Sequence, residues 1–117
     1  MPVPKPKLRF LTPREVKTVN AFAADIKKVA DDKLVQIVLF GSKARGDYVA
    51  ESDIDILIVL KSEDRELVDE IFSILIDYKI ETELYLAPII YGLKDYELSR
   101  SMGSEFIKNA ENEGIPL

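Results

Sequence analysis

The sequence of 117 residues contains no histidine, no cysteine and no tryptophan. These absences exclude disulfide frameworks, zinc sites built from His or Cys, thiolate nucleophiles and Ser–His–Asp triads. Any metal ion must be held by oxygen atoms, which favours a hard cation such as Mg²⁺ or Mn²⁺. Any proton transfer must use a carboxylate, a lysine or a water molecule.

Long apolar runs and a strongly basic surface are also missing. No run approaches the roughly 20 apolar residues of a membrane span, and the first residues lack the apolar core of a signal peptide, so we expect a cytoplasmic protein. Residues 62–117 carry 13 acidic and 5 basic side chains. This acidic half argues against general nucleic-acid binding, which needs a basic surface.

What is present is the composition of one globular domain, with 47% hydrophobic and 32% charged residues. A chain of this length buries one core well and leaves little room for a second. Three prolines and three basic residues fall within residues 1–10. We therefore expect a flexible basic tail over residues 1–10 and a single domain over residues 11–117.

The spacing of apolar residues predicts alternating helices and strands. The expected order is a helix over 13–32, a strand over 34–40, a loop or turn of helix, a second strand that opens within residues 52–55 and runs through Leu60, a helix over 63–77, a strand over 79–86 that Pro88 ends, and a helix near 104–112 closed by Gly114. Residues 89–103 give no clear pattern. The order predicts an α/β or α+β domain with a small sheet.

Asp53 and Asp55 stand at the start of an apolar run that ends at Leu60. Because side chains alternate along a strand, both carboxylates point to one face, with Cα atoms about 6.8 Å apart. Two carboxylates at the rim of a buried strand repel each other unless a cation lies between them. The pair fits a divalent-ion site, and the simpler alternative is an Asp that caps a turn.

Gly41 and Ser42 directly follow the predicted strand over 34–40. The glycine allows the backbone to approach a ligand closely, and the serine hydroxyl can donate to a phosphate oxygen. Lys43 and Arg45 add positive charge, so all four residues are candidate nucleotide ligands. The G-x-x-x-x-G-K-[ST] pattern of a Walker loop is absent, and an ordinary loop is the alternative.

A third acidic element lies in the predicted strand over 79–86. Glu81, Glu83 and Tyr85 would share one face of that strand, because side chains alternate. A carboxylate on this face could join Asp53 and Asp55 as a third acidic group. An exposed polar face on an edge strand is the equally weighted alternative.

Ten residues separate Ser42 from Asp53, which suits a phosphate loop on one strand and a metal site on its neighbour. This pattern, within LFGSKARGD and SDIDILIVL, resembles the signature of the polymerase-β-like nucleotidyltransferases. The length resembles that of their minimal nucleotidyltransferase (MNT) family, and the likeness extends to the closing Glu113-Gly114-Ile115. The resemblance implies an α/β (α+β) domain with a small mixed sheet flanked by helices.

The resemblance also implies an activity. It is the Mg²⁺-dependent transfer of a nucleoside monophosphate, with AMP from ATP as the expected case, to an acceptor hydroxyl with release of pyrophosphate. In that scheme Gly41 and Ser42 hold the β- and γ-phosphates. Asp53 and Asp55 bind two ions about 3.5–4 Å apart, and the third carboxylate binds the ion that activates the acceptor.

One position departs from the family pattern, which usually has Asp as the third carboxylate. The matching residue here is Glu83, with Glu81 as the alternate. Glutamate is one methylene longer, and a misplacement of about 1 Å can lower a rate on the order of 100-fold. The departure makes catalysis a weaker expectation than the fold.

The resemblance further implies a protein partner, because minimal nucleotidyltransferases are often paired with a small helical HEPN-type protein in toxin–antitoxin modules. The first hypothesis is an active enzyme that modifies this partner. The second is a protein of the same fold that neutralises its partner by contact, with weak or no catalysis. Intact Asp53 and Asp55 favour the first, and Glu83 favours the second.

Overall fold

The computed structural model of the protein describes residue 8, residues 10–46 and residues 53–117. Across these ranges the helices and strands alternate, as the sequence predicts. In chain order they are α1 (Pro13–Ala30), β1 (Leu34–Phe40), α2 (Ser42–Arg45), β2 (Ile54–Leu60), α3 (Arg65–Thr82), β3 (Leu86–Gly92), α4 (Leu93–Ser101), α5 (Glu105–Glu113) and β4 (Ile115–Pro116). Among these helices, none is both long and apolar enough to cross a membrane.

The described strands form one mixed sheet in the order β3-β2-β1-β4. β1 pairs antiparallel with β2 and with β4, whereas β2 and β3 run parallel. The parallel pair is joined by α3, because parallel neighbours need a crossover connection. The prediction of a mixed α/β domain is therefore confirmed.

Both faces of β2 are covered, which explains why its sequence is almost continuously apolar. The face that carries Ile54, Ile56 and Ile58 packs in the cluster that contains the buried residues of α1 and α3. The opposite face, with Leu57 and Val59, packs in a second cluster with residues of α4 and α5. Asp55 alternates with Ile54 and Ile56 and therefore lies on the α4–α5 face.

Helix α1 begins where the sequence predicts. Thr12 is the N-cap, its hydroxyl accepts from the Glu15 N–H at 3.1 Å, and Glu15 Oε1 accepts from the Thr12 N–H at 2.9 Å. This reciprocal capping box satisfies two backbone donors that the helix itself cannot. The helix ends at Ala30, and a 3₁₀ turn over Asp31–Lys33 occupies the last part of the predicted span.

The predicted strand over 79–86 is wrong, because α3 continues to Thr82. Tyr78 holds this end of the helix against α1, where it packs edge-on against Phe22 and donates a 2.5 Å hydrogen bond to Asp25. The Arg14 guanidinium donates to the Thr82 carbonyl oxygen. These tertiary contacts outweigh the local alternation of polar and apolar residues.

The third strand is β3, which begins at Leu86 and contains Pro88 rather than ending at it. Pro88 is tolerated because β3 lies at the edge of the described sheet. The strand continues to Gly92, and α4 follows directly, so the stretch 89–103 that gave no clear pattern contains the end of β3 and the whole of α4.

The two ends of the domain also differ in detail from the expectation. Leu8, which the sequence assigns to the tail, is buried in the α1–α3 cluster, whereas residues 1–7 and Arg9 of the predicted tail lie outside the described residues. Gly114 follows α5 as predicted, but with an extended backbone. A Cβ at Gly114 would overlap the Ala110 carbonyl oxygen and Val38, so the glycine permits close packing.

Candidate active site

The strand register brings the two halves of the sequence motif together. Phe40, the last residue of β1, pairs with Asp55 on β2. Gly41 follows Phe40 directly, so the turn after β1 lies beside the N-terminal end of β2. The ten residues between Ser42 and Asp53 therefore connect two adjacent strand ends. The end of β1 carries the candidate phosphate loop, and the start of β2 carries the candidate metal ligands.

Gly41 lies against the carboxylate of Asp55. Its φ of +78° is unfavourable for other residues, and a Cβ there would overlap Asp55 Oδ2 and lie 3.2 Å from Asp55 Cγ. Both the backbone conformation and the close approach require glycine at this position. The Gly41 carbonyl oxygen then accepts from the N–H groups of Ala44 and Arg45, which starts the short helix α2.

The two aspartates differ in environment. Asp53 is exposed, whereas Asp55 is half-buried on the α4–α5 face. Burial and the negative charge of Asp53 raise the pKa of Asp55, and the positive charge of Arg45 partly opposes them. A half-buried carboxylate beside a second carboxylate is destabilised when charged, which is the environment that a bound cation relieves.

Asp53 and Asp55 thus fit a divalent ion in donor chemistry and in shared face. Across residue 8, residues 10–46 and residues 53–117, no group of three acidic side chains is close enough to hold one ion. An ion bound here would draw its other ligands from water or from the phosphates of a nucleotide, as Mg²⁺ usually does.

Lys43 has a different contact from the predicted one. Its side chain is 2% exposed, and its Nζ lies 2.8 Å from Glu15 Oε2 of α1, whose side chain is 8% exposed. Burial raises the pKa of Glu15, but the hydrogen bonds and charge from Lys43 and the hydrogen bonds with Thr12 outweigh it, so the pKa lies below its usual value. The ammonium group therefore lies in the interior, against α1.

Arg45 lies on the opposite side of α2 and is accessible. Its Nη1 lies 2.8 Å from Glu113 Oε2 at the end of α5, and the two side chains are 42% and 33% exposed. Its charge also reaches Asp55, where it lowers the pKa. Arg45 is thus the cation of the predicted set that lies at the carboxylate site. For Ser42 the backbone lies in the first turn of α2.

Glu81 and Glu83 are not on a strand. Glu81 lies in the last turn of α3, and Glu83 is the left-handed C-cap of that helix with φ +60°. The N–H of Ile54 donates to the carbonyl oxygen of Tyr85 at 2.8 Å, so the position beside Asp53 on the neighbouring chain segment is Tyr85. By the same register Ala87 lies beside Asp55. Neither glutamate therefore lies on the strand beside Asp53, and the position there, directly before β3, carries the aromatic ring of Tyr85 instead.

Two residues that contact the predicted site are not among the residues predicted from the sequence. Glu15 is the fourth residue of the capping box that begins at Thr12, but nothing local indicates that its second oxygen binds Lys43. Glu113 was visible in the closing segment, but its pairing with Arg45 joins residues 68 positions apart. Such long-range pairs have no signature in a single sequence.

A cavity of about 590 Å³ lies away from these residues. It opens between α3 and the C-terminal ends of β2 and β3, where Leu60, Phe72 and Gly92 line it. Asp53 and Asp55 are at the other end of β2. The candidate active site therefore lies at the opposite end of β2 from this cavity.

Comparison with known proteins identifies the class to which this fold and site belong. The family model described as "Nucleotidyltransferase domain" matches residues 21–115. The chain therefore belongs to the nucleotidyltransferase domain family, and the enzyme class predicted from the sequence is confirmed. Members of this family generally use divalent metal ions.

Individual relatives carry more specific names. A Methanocaldococcus jannaschii protein named "Putative protein adenylyltransferase MJ0141" is 34% identical over 106 residues, which span 87% of this chain and 97% of that protein. A second protein of that organism, "Putative protein adenylyltransferase MJ0604", is 39% identical over 66 residues, or 56% of this chain and 66% of that protein.

A solved structure supports the fold. The crystal structure of "a putative nucleotidyltransferase from Sulfolobus solfataricus" superposes with a TM-score of 0.54 at 20% sequence identity. The match covers 88% of this chain and 78% of the other. The shared architecture agrees with the expectation of a nucleotidyltransferase fold.

Proposed function

We propose that this protein transfers AMP from ATP to a hydroxyl group of a partner protein, with Mg²⁺ bound by Asp53 and Asp55; Mn²⁺ is the alternative ion. The observation that carries the proposal is the contact between the Gly41 turn and the half-buried Asp55 carboxylate. A glycine turn against a destabilised carboxylate brings a phosphate-binding backbone and a cation-binding side chain within one site.

The relative of nearly equal length supports the choice of AMP and of a protein acceptor, since its name describes a protein adenylyltransferase. The open site supports it as well. Asp53 is exposed and no described element covers it, so a folded protein surface can approach the two carboxylates.

The proposed reaction is a single displacement at the α-phosphorus of ATP. The acceptor oxygen forms a bond to this phosphorus, the bond from the phosphorus to the bridging oxygen of the β-phosphate breaks, and pyrophosphate leaves with the bonding electron pair. The hydroxyl proton passes to a carboxylate or to water. Bound Mg²⁺ would offset the negative charge that accumulates on the phosphate oxygens.

The residues of the site divide this work. Gly41 and Ser42 hold the β- and γ-phosphates, and the accessible guanidinium of Arg45 is a third phosphate ligand. Asp53 and Asp55 hold the metal. Glu83 is retained as the proposed third carboxylate because it is exposed and precedes Tyr85, the neighbour of Asp53, by two residues.

The proposed acceptor is a HEPN-type protein, with this chain as the antitoxin of the pair. The family resemblance supports this choice. The excess of acidic side chains in residues 62–117 would favour a partner of opposite charge.

Transfer of label tests the proposal directly. The protein is incubated with a HEPN-type partner, Mg²⁺ and ATP labelled at the α-phosphorus, and the partner is analysed for label. We expect labelling that requires Mg²⁺ and that Asp53→Ala or Asp55→Ala abolishes. Asp69→Ala, which removes an exposed carboxylate of α3, is the matched control and should leave the labelling unchanged.

ATP labelled at the γ-phosphorus separates adenylylation from phosphorylation, because the γ-label leaves with pyrophosphate. Label transfer that survives both aspartate substitutions would contradict the proposed site. Glu83→Gln should lower the rate if its carboxylate takes part, while Glu81→Gln should not.

One observation favours a second candidate, a binding protein with weak or no catalysis. The described residues contain no group of three acidic side chains that could hold a metal ion, and the residue beside Asp53, directly before β3, is Tyr85. This candidate predicts a stable complex with the partner and no labelling. It also predicts that Asp53→Ala and Asp55→Ala leave the affinity for the partner unchanged.

A further inference from the structure

The Glu15–Lys43 pair connects the turn after β1 to the first helix through the protein interior. Lys43 is the second residue of α2 and directly follows Ser42, so its backbone belongs to the candidate phosphate loop. Its Nζ lies 2.8 Å from Glu15 Oε2, and the two side chains are 2% and 8% exposed. Glu15 lies 28 positions earlier in the sequence, in the first turn of α1.

We infer that Glu15 and Lys43 are positioning residues that hold the Gly41–Ser42 turn in the conformation that accepts a triphosphate, although neither touches the nucleotide. The inference rests on the proposed function, since it concerns the same phosphate loop. It replaces the direct phosphate contact that the sequence predicts for Lys43.

The short helix α2 needs such an anchor. Four residues are too few to form a stable helix alone, because nucleation fixes several dihedral angles for one hydrogen bond. Within α2, the Ala44 and Arg45 N–H groups donate to the Gly41 carbonyl oxygen at 3.1 Å each. Both hydrogen bonds are accepted by a glycine with a φ of +78°. Glycine can adopt many backbone conformations, so neighbouring contacts must hold it in this one.

Glu15 is itself fixed at both oxygens, which makes it a firm anchor. Its Oε1 accepts from the Thr12 N–H at 2.9 Å, and its Oε2 accepts from the Lys43 ammonium at 2.8 Å. One carboxylate thus caps α1 and binds α2 at once. A charge-assisted hydrogen bond has a narrower geometry than an apolar contact, so it fixes the distance between the two helices.

The burial of the pair makes the anchor difficult to release. A buried charge without its partner carries a large desolvation cost, so the two groups stay together once they are out of water. In contrast, an exposed pair exchanges readily with solvent. The interior pair therefore suits a positioning role, which requires a fixed distance rather than an adaptable contact.

The test uses Glu15→Gln and Lys43→Met, measured at a temperature where each variant is folded by circular dichroism. Glu15→Gln keeps an oxygen for the Thr12 N–H and removes the charge. We expect faster hydrogen exchange at the Ala44 and Arg45 amides without nucleotide, and Mg–ATP affinity weaker by roughly ten-fold or more, since small displacements of binding groups have large effects.

Two controls separate positioning from simple destabilisation. Thr12→Ala weakens the same helix cap and should lower stability without moving the loop amides or the Mg–ATP affinity. Lys33→Met removes a lysine from an exposed pair with Asp64, 2.7 Å apart, at the far end of the sheet. It should change neither measurement.

The outcomes distinguish the two proposals. Unchanged exchange at Ala44 and Arg45 in both single variants overturns the positioning role, and so does an equal effect of Thr12→Ala. If the variants exchange faster but the wild-type protein does not bind Mg–ATP, the anchoring role of Glu15 and Lys43 stands. In that case the proposed nucleotide function is overturned.

Discussion

The two sides of α2 carry the same kind of contact in opposite environments. On one side Lys43 pairs with Glu15 of α1 at 2.8 Å, with both side chains buried. On the other side Arg45 pairs with Glu113 of α5, also at 2.8 Å, with both side chains partly exposed. The two pairs therefore have equal distances but different interaction energies, because water screens the charges of the second pair and not those of the first.

This difference shows how one short helix can be fixed to the interior on one side and keep an accessible cation on the other. The buried pair ties α2 to α1 and resists exchange with solvent. The exposed pair leaves a guanidinium near Asp55 that can change partners at little cost. Two cations that look equivalent in the sequence thus lie in different environments with different partners, and the following substitutions test what that difference does.

Lys43→Ala should have the largest effect on stability. Removing one partner leaves Glu15 charged and buried, and breaking a buried pair in this way costs about 3–5 kcal/mol. Urea denaturation monitored by circular dichroism measures the loss. Lys33→Ala breaks an exposed pair and is the control. A similar loss of stability in Lys33→Ala would show that burial does not distinguish the two kinds of pair.

The double variant Glu15→Gln and Lys43→Met should recover much of that loss. Replacing both charges removes the unpaired carboxylate, and such neutral replacements are often close to the original stability. We expect the double variant to be more stable than Lys43→Met alone by about 2 kcal/mol in urea denaturation, a part of the single-variant cost. A double variant less stable than Lys43→Met would show that the unpaired charge of Glu15 is not the cause of the stability loss.

Acid should remove the contribution of Glu15. The folded-state pKa of Glu15 lies below its ordinary value of 4.5, so its contribution is complete above that value and is lost as the pH falls through the lower folded-state pKa. The stability difference between the wild type and Glu15→Gln should therefore shrink below about pH 4.5. Parallel urea titrations at several pH values measure it, and a constant difference would contradict the assignment.

Arg45→Ala should have the smallest effect on stability, about 1 kcal/mol or less, because exposed pairs contribute little. Arg45→Ala should instead weaken the binding of Mg–ATP, since Arg45 is a proposed phosphate ligand. Isothermal titration with Mg–ATP measures this, with Glu113→Gln as the matched variant. If Glu113 competes with phosphate for Arg45, Glu113→Gln should bind Mg–ATP at least as tightly as the wild type.

The central hairpin could be predicted from the sequence because its signals are local. The strand at 34–40 is confirmed residue for residue, and β2 begins within the predicted opening at residues 52–55 and ends at Leu60 as predicted. The capping box of α1 follows from four consecutive residues. Each of these features depends on neighbours in the chain, which a single sequence displays.

The position of β3 could not be predicted because it depends on α1. Residues 79–82 alternate as a strand would, yet Tyr78 contacts Phe22 and Asp25 across the helix pair and keeps them helical. The burial of Lys43 depends in the same way on Glu15. The roles assigned to Gly41, Ser42, Asp53, Asp55 and Glu83 remain predictions that the proposed substitutions test.

Pro88 has a consequence for how copies of this protein meet. The hydrogen bond from Ile54 to Tyr85 sets the alternation along β3, so the backbone groups of residues 86, 88 and 90 point away from β2. At residue 88 this outer edge offers no N–H, because proline has none. A second chain that tried to extend the sheet here would meet a gap in its ladder, so the edge is protected against strand-by-strand aggregation.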